Sequence, residues 1–170
     1  MDRAVFTATT DKGPSKISMQ MVKQETDNEC CACTVAMLTD RSRDEILVDA
    51  PNPRMPDHFW LNYMCRLGFT VGDVRDDEGF DRTKTCDGMV FNGYFQLARG
   101  HRYYCSLVTA KGAHAVAIDE AGMVFDPSTS APQVGTCTLE QYVRANHHPS
   151  RNIIVQCFRV MSNETRQQFP

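Results

Sequence analysis

The amino-acid sequence predicts an α+β fold, with helices in the first third of the chain and an antiparallel sheet after them. Helix-capping patterns followed by apolar residues at helical spacing are concentrated before Gly68. Runs of β-branched and aromatic residues, separated by turn residues, dominate after it. The 170 residues contain no repeat or internal linker, so we expect one domain at 21–160, an N-terminal arm at 1–20 and a C-terminal tail at 161–170.

Three helices are predicted in the first third, each from a start signal and an apolar face. They comprise residues 29–39, a short helix opened by the Ser42-Arg-Asp-Glu45 capping box, and residues 56–67, which Gly68 closes as a C-cap. The third helix carries large apolar side chains on one face, which predicts packing against the core: Phe59, Trp60, Tyr63, Met64 and Leu67.

The remaining sequence predicts short strands joined by turns and two further helices. The expected strands are 69–74, 89–91, 102–109, 113–118, 123–126 and 152–160. The expected connections are an exposed loop at 75–88, a short helix at 94–99 and a helix opened by the Thr138–Gln141 capping box.

A glutamine and a cysteine at the start of the first helix form a candidate reactive half-site. Thr26 and Glu29 match a Thr-x-x-Glu capping box, which predicts that Cys30 lies in the first helical turn. The positive end of the helix dipole favours a thiolate there. Gln24, six residues upstream, is placed to direct its side-chain amide at that sulfur and to join the Cys30 backbone N–H as an oxyanion donor.

A predicted hairpin supplies the histidine and the carboxylate that such a thiol requires. The Asp119–Gly122 turn brings Asp126 opposite residues 114–116, within reach of the His114 imidazole. We therefore assign Cys30 as the nucleophile, His114 as the general base and acid, and Asp126 as the group that orients the histidine. Asp119 is the rival carboxylate, but its position is typical of a first turn residue.

The other cysteines have simpler interpretations. Cys31 is a rival nucleophile, and the spacing from Gln24 favours Cys30. A metal site formed by Cys30, Cys31 and Cys33 with a histidine (His58 or His101) is the weaker alternative, because adjacent cysteines point apart and no second Cys-x₂-Cys exists. We expect Cys65, Cys105 and Cys157 to be core residues.

Composition and charge exclude several classes of partner. The net charge of −3 and the pI near 5.9 give no electrostatic basis for binding nucleic acid or a membrane surface. No run approaches the roughly 18 apolar residues of a membrane-spanning helix, and the first residues do not form a secretion signal. We therefore expect reduced thiols in a cytoplasmic protein.

Taken together, these motifs resemble the papain-like cysteine peptidases, and are most similar to the branch that removes double-glycine leaders from bacteriocin precursors and to its stand-alone relatives. The resemblance covers about residues 20–160 and follows the family order, although the family has Asp-Cys-Gly where this chain has Glu29-Cys30-Cys31. The matching motifs are Gln24, Cys30, Leu67-Gly68, Gly112-Ala-His114, Asp126-Pro127, the helix from Thr138 to Arg144, and the strand from Ile153.

The resemblance implies a papain-like fold, with a helical half that carries the cysteine packed on a sheet that carries the histidine and aspartate. It further implies a peptide or protein substrate, no cofactor, and a bacterial or phage source. Two alternatives stay open. The same groups also catalyse deamidation and acyl transfer, and a relative with a decayed site would serve only as a protein-binding module.

Overall fold

The computed structural model describes residues 18–50, 52–74, 97–109, 112–128, 135–146 and 154–163. Within these ranges the chain forms four helices and five strands. The helices are α1 (Cys30–Thr39), α2 (Arg43–Asp49), α3 (Asp57–Arg66) and α4 (Leu139–Asn146). The strands are β1 (Phe69–Asp73), β2 (Arg102–Thr109), β3 (Gly112–Ile118), β4 (Val124–Phe125) and β5 (Ile154–Ser162).

The five strands form one open antiparallel sheet in the order β1-β5-β2-β3-β4. The central strands β5, β2 and β3 follow the β-branched and aromatic runs of the sequence, as expected for buried strands. The predicted α+β class, with a helical first third and an antiparallel sheet after it, is therefore confirmed.

Alternate residues of β2 face two separate cores. Tyr103, Cys105 and Leu107 pack in a cluster with apolar residues of α4. Tyr104 packs in a second cluster with residues of α1, α2 and α3, including the fully buried Trp60. The sheet thus separates the three N-terminal helices from α4, because successive side chains of a strand point to opposite faces.

Helix α1 is the central helix of the fold, with every residue except Cys31 buried. Small side chains line its contact with β3, because Ala32 and Ala36 share a core cluster with Ala115 and Ala117. These alanines allow the helix and the strand to approach closely. The first turn of α1 is thereby brought to the part of β3 that carries His114.

Several predicted boundaries are confirmed by hydrogen bonds or backbone angles. The Ser42 box is complete, since Glu45 N–H donates to the Ser42 hydroxyl and the Glu45 carboxylate accepts from Ser42 N–H. The Thr138 box has the same reciprocal bonds with Gln141. Gly68 follows α3 with a φ of 89°, the left-handed conformation of a glycine C-cap.

The capping box predicted at Thr26 is wrong. Helix α1 begins after Glu29, which is its N-cap and provides no side-chain cap. The Glu29 carboxylate accepts from the N–H groups of Thr26 and Glu25 and pairs with Arg43, but the Glu29 N–H bonds the Thr26 carbonyl and not its hydroxyl, so only half of the box is present. Cys30 still lies in the first turn of the helix, as predicted.

Three further predictions need correction. Residues 97–100 form a turn rather than the end of a helix at 94–99. The last strand continues to Ser162, because Phe69 of β1 pairs with it, so the first two residues of the predicted 161–170 tail belong to the sheet. Cys65 is exposed on α3, whereas Cys105 and Cys157 are buried as predicted.

Some predictions lie outside the described residues. These are most of the N-terminal arm, the loop at 75–88, the strand at 89–91 and the end of the C-terminal tail. Met19, at the described end of the arm, is buried in the α1 core cluster. In the described part of the chain, no helix has the length and apolar character needed to cross a bilayer.

Candidate active site

A β-hairpin holds the predicted histidine and aspartate in register. Ala117 pairs with Phe125 across β3 and β4, and the next residue, Asp126, therefore lies near the middle of β3. Asp119 closes the turn, since its Oδ1 accepts from the N–H groups of Ala121 at 3.0 Å and Met123 at 2.8 Å. Its carboxylate is therefore a turn-stabilising group, as predicted, and not the partner of His114.

His114 and Asp126 form the predicted hydrogen bond. His114 Nε2 lies 2.7 Å from Asp126 Oδ1, and the imidazole is 30% exposed while the carboxylate is 7% exposed. Asp126 also accepts from Ser128 N–H at 2.8 Å and from the Tyr142 hydroxyl at 2.6 Å. Three donors therefore satisfy a carboxylate that is almost removed from water.

These contacts favour the charged forms of both groups. Burial by itself would raise the pKa of Asp126, but hydrogen bonds from His114, Tyr142 and Ser128, together with the charge of the imidazole, lower it below its usual value. Burial by itself would lower the pKa of His114, but its bonds and charge interactions with Asp126 and Cys30 raise it to about 9. The imidazole is thus protonated at neutral pH.

Cys30 lies at the first position of α1, beside His114. Hydrogen bonding to Cys31 is the largest cause that lowers the pKa of Cys30, against the opposing effect of burial. The His114 imidazole, through a hydrogen bond and its charge, and the backbone N–H of Ala115 lower it further. The sulfur of Cys30 therefore has donors on several sides, and its thiolate is the favoured form.

Cys31 has the opposite surroundings, although the two sulfur atoms are only 3.9 Å apart. Its bond to the Cys30 sulfur, burial and the nearby negative charge of Asp57 raise the pKa of Cys31. Asp57 is held behind it by the hydroxyls of Tyr104 and Ser106, each at 2.7 Å. Because the Cys31 thiol, the neighbouring imidazolium and a backbone N–H all favour a charged Cys30, and together outweigh the Tyr104 hydroxyl at Cys31, the negative charge belongs on Cys30.

An ion pair between the buried Glu29 and the partly exposed Arg43 fixes the start of the helix that carries Cys30. Arg43 Nε lies 3.0 Å from Glu29 Oε2, and Arg43 Nη2 lies 3.2 Å from Glu29 Oε1. The Arg43 hydrogen bond is the largest cause that lowers the pKa of Glu29 to about 2. This two-pronged contact ties α2 to the residue directly before the candidate nucleophile.

Gln24 is hydrogen-bonded to the segment that follows Asp126. Its backbone N–H donates to the carbonyl of Pro127, the residue after Asp126, at 2.9 Å. Its side chain is buried, and Oε1 has no hydrogen-bond partner among the described residues. The structure therefore brings the Gln24 backbone to Pro127, and the role of its amide as an oxyanion donor stays a prediction.

The contributors that sequence reasoning missed include the Tyr142 hydroxyl and the Ala115 N–H. The first had a detectable signal. Leu139, Tyr142 and Val143 share the apolar face of α4, and a tyrosine on a buried face needs a partner for its hydroxyl. The second had none, because a backbone N–H carries no sequence information.

Other features of the described residues lie apart from this site. A cavity of about 530 Å³ lies at the opposite end of α1, where Leu38, Arg102 and Met161 contribute to its lining, and it includes none of the predicted site residues. In the described ranges, no cluster of three or more His, Cys, Asp or Glu side chains is arranged to hold a metal ion.

No protein-family model matches the chain, and no curated protein matches it either. The geometry of Cys30, His114 and Asp126 therefore has to support any functional proposal.

Proposed function

We propose that this protein is a cysteine hydrolase that cleaves a peptide or isopeptide bond, with Cys30, His114 and Asp126 as a catalytic triad. One observation carries the proposal. An imidazole next to a helix-terminal thiol has its Nε2 bonded to a buried carboxylate at 2.7 Å. Because Asp126 occupies Nε2, the other ring nitrogen, Nδ1, is the one available to exchange a proton with Cys30.

The resting state is a thiolate–imidazolium pair. The pKa of Cys30 is lowered and that of His114 is raised to about 9, so both groups are charged at neutral pH. The nucleophile therefore requires no proton removal before it attacks.

In the first half of the reaction, the Cys30 sulfur bonds to the substrate carbonyl carbon and the carbonyl electron pair moves to oxygen. The Cys30 backbone N–H, which has no intrahelical acceptor at the first helical position, and the Gln24 amide stabilise this oxyanion. When the carbon–nitrogen bond breaks, His114 gives its proton to the leaving amine. The products are a thioester on Cys30 and a neutral histidine.

In the second half, neutral His114 removes a proton from water, and the hydroxide adds to the thioester carbon. The same donors stabilise the second oxyanion. Collapse of this intermediate releases the carboxylic acid and restores the thiolate and the imidazolium. The cycle needs no cofactor.

We further propose that the domain has the papain-like fold. The order of elements supports this proposal, with a cysteine on the first helix and a histidine and aspartate on a later hairpin. Cys31 replaces the glycine of the leader-peptidase motif, and the neighbouring Tyr104 and Asp57 accommodate its side chain.

Cys30→Ala and His114→Ala should each abolish turnover without unfolding the protein. A peptide pool incubated with the wild-type protein should yield shortened chains by mass spectrometry. Cys65→Ala, which removes an exposed thiol of α3, is the matched control and should retain full activity. An unchanged rate in Cys30→Ala would contradict the proposed nucleophile. A product 1 Da heavier would identify deamidation instead, and a new adduct would identify acyl transfer.

A further inference from the structure

Among the described residues, the Tyr142 hydroxyl makes the shortest hydrogen bond to a member of the candidate triad. It donates to Asp126 Oδ2 at 2.6 Å, while Asp126 Oδ1 accepts from His114 Nε2 at 2.7 Å. The two carboxylate oxygens therefore have different partners. Oδ1 also accepts from the Ser128 N–H at 2.8 Å, so the Tyr142 hydroxyl is the donor that holds Oδ2 and resists rotation of the carboxylate about its Cβ–Cγ bond.

Helix α4 is itself fixed to the hairpin that carries His114 and Asp126. The Val124 N–H donates to the Cys137 carbonyl, and the Gly135 N–H donates to the Val124 carbonyl, both at 2.9 Å. Met123 and Thr138 form a further bridge between the two segments. The segment before α4 is thus hydrogen-bonded to β4. It fixes α4, and with it the Tyr142 hydroxyl, relative to the Asp126 carboxylate.

We propose that Tyr142 is a positioning residue that holds the Asp126 carboxylate in the orientation in which Oδ1 accepts from His114. The inference deepens the proposed function and depends on it for any effect on turnover. Tyr142 touches neither the sulfur nor the substrate in this scheme, and it acts through Asp126.

The ionisable groups near His114, Asp126 and Tyr142 determine which of them is responsible for a change with pH. The imidazole faces Asp126 and Cys30, and the Tyr142 hydroxyl faces Asp126 together with the thiols of Cys105 and Cys137. Burial, followed by the Asp126 carboxylate, raises the pKa of Tyr142. The hydroxyl therefore stays a donor throughout the working range, and changes in activity on the alkaline side report His114.

The test is Tyr142→Phe, which removes only the hydroxyl. Without it, only the bonds to Oδ1 orient the Asp126 carboxylate and its contact with His114 loosens, so we expect the His114 pKa to fall by about one unit and kcat to fall about tenfold with KM unchanged. Tyr63→Phe is the matched control, because Tyr63 is buried and its hydroxyl donates to Asp49 at 2.9 Å, outside the site. It should move neither quantity.

The His114 pKa is measured by NMR titration of the imidazole, and the Cys30 alkylation rate is followed against pH, so neither readout needs a substrate. A merely structural role would lower the melting temperature of Tyr142→Phe but leave the His114 pKa unchanged, and that result would overturn the inference. If wild-type protein hydrolyses nothing, the proposed function fails, while the titration still decides the role of Tyr142.

Two further measurements isolate the route through Asp126. In an Asp126→Asn background, Tyr142→Phe should produce no additional change in the His114 pKa, and an additive shift would refute the coupling. In wild-type protein, the Tyr142 hydroxyl proton should shift as His114 titrates near pH 9, because both groups bond one carboxylate. If the Tyr142 hydroxyl proton did not shift during the His114 titration, the inference would also be overturned. This measurement needs only the wild-type protein, so it holds even if Tyr142→Phe did not fold.

Discussion

Cys30 differs from the neighbouring Cys33 in what faces its sulfur, and not in the helix that carries it. Both are buried in α1, and both thiols pay the cost of burial that opposes a thiolate. Burial and the charge of Glu29 raise the pKa of Cys33 to about 12, whereas the contacts of Cys30 lower its pKa. The hydrogen-bond donors and charges next to each sulfur therefore decide which thiol of α1 is reactive.

Selective alkylation at low pH follows from this difference. At pH 6 an ordinary thiol with a pKa near 8.5 is about 0.3% thiolate, whereas the Cys30 thiolate should predominate. Iodoacetamide at pH 6 should therefore modify Cys30 before the exposed Cys65, as measured by peptide mass spectrometry.

His114→Ala should abolish this selectivity, because it removes the adjacent cation. Equal and slow labelling of all exposed thiols in the wild-type protein would favour the binding-module alternative.

The ion pair of Glu29 and Arg43 predicts a second residue-scale effect. Arg43→Met leaves the 7%-exposed Glu29 carboxylate without its cation, and the free energy of unfolding should therefore fall. The measurement is urea denaturation at pH 7. Arg41→Met, at an exposed position, is the control and should change the stability little.

The acid dependence of stability checks the same contact. Folding lowers the pKa of Glu29 from 4.5 to about 2, so its contribution is fully present above pH 4.5 and is lost as the pH falls towards 2. In Arg43→Met this part of the acid dependence should shrink. An unchanged acid profile would show that Arg43 is not its cause.

At the scale of elements, the segment from Gly135 to α4 completes the site. Gly135 has a φ of 65°, and a Cβ built there would lie 3.0 Å from Cζ of Phe125. Glycine is thus required both for the backbone conformation and for the close approach to β4. From this point the chain enters the Thr138 capping box and then α4, which carries Tyr142.

Gly135→Ala should therefore be destabilising. The left-handed conformation costs roughly 1–2 kcal/mol for a residue with a Cβ, and the Phe125 ring must also move. Thermal unfolding would measure the loss. Gly72→Ala in β1 is the control, because no atom lies within 4 Å of its added Cβ, and it should leave the melting temperature nearly unchanged.

At the scale of the whole molecule, close packing of α1 on the sheet brings Cys30 to His114. Ala115 and Ala117 of β3 are buried in the same cluster as the small residues of α1. A larger side chain at this contact would separate the two halves of the site without touching a catalytic group.

Ala117→Leu should show this separation. We expect the stability to fall by about 1–3 kcal/mol and the selective alkylation of Cys30 to be lost, because the helix must move away from β3. Ala145→Leu, at an exposed position of α4, controls for the change of residue type. If Ala117→Leu lowered the stability but left the alkylation of Cys30 unchanged, the proposed role of the α1–β3 contact in bringing Cys30 to His114 would be contradicted.

The sequence predictions were mostly accurate where the interacting residues are close in the chain, and less accurate where they are far apart. Ser42 and Thr138 were predicted correctly as caps, because their partners lie three residues away. Thr26 was predicted wrongly, because the Glu29 N–H bonds the Thr26 carbonyl instead of its hydroxyl, and the helix begins three residues later. The extension of β5 to Ser162 was missed, because its cause is pairing with the distant Phe69.

The sequence by itself determined the helix starts at Ser42 and Thr138, the hairpin turn and its register, and hence the meeting of His114 with Asp126, since each depends on a few neighbouring residues. Only the tertiary structure decided which sulfur beside that pair bears the charge and that a tyrosine from α4 supports the carboxylate. Those outcomes depend on the distances between elements remote in the chain. Electrostatic and hydrogen-bond energies change steeply with such distances, and no local pattern encodes them.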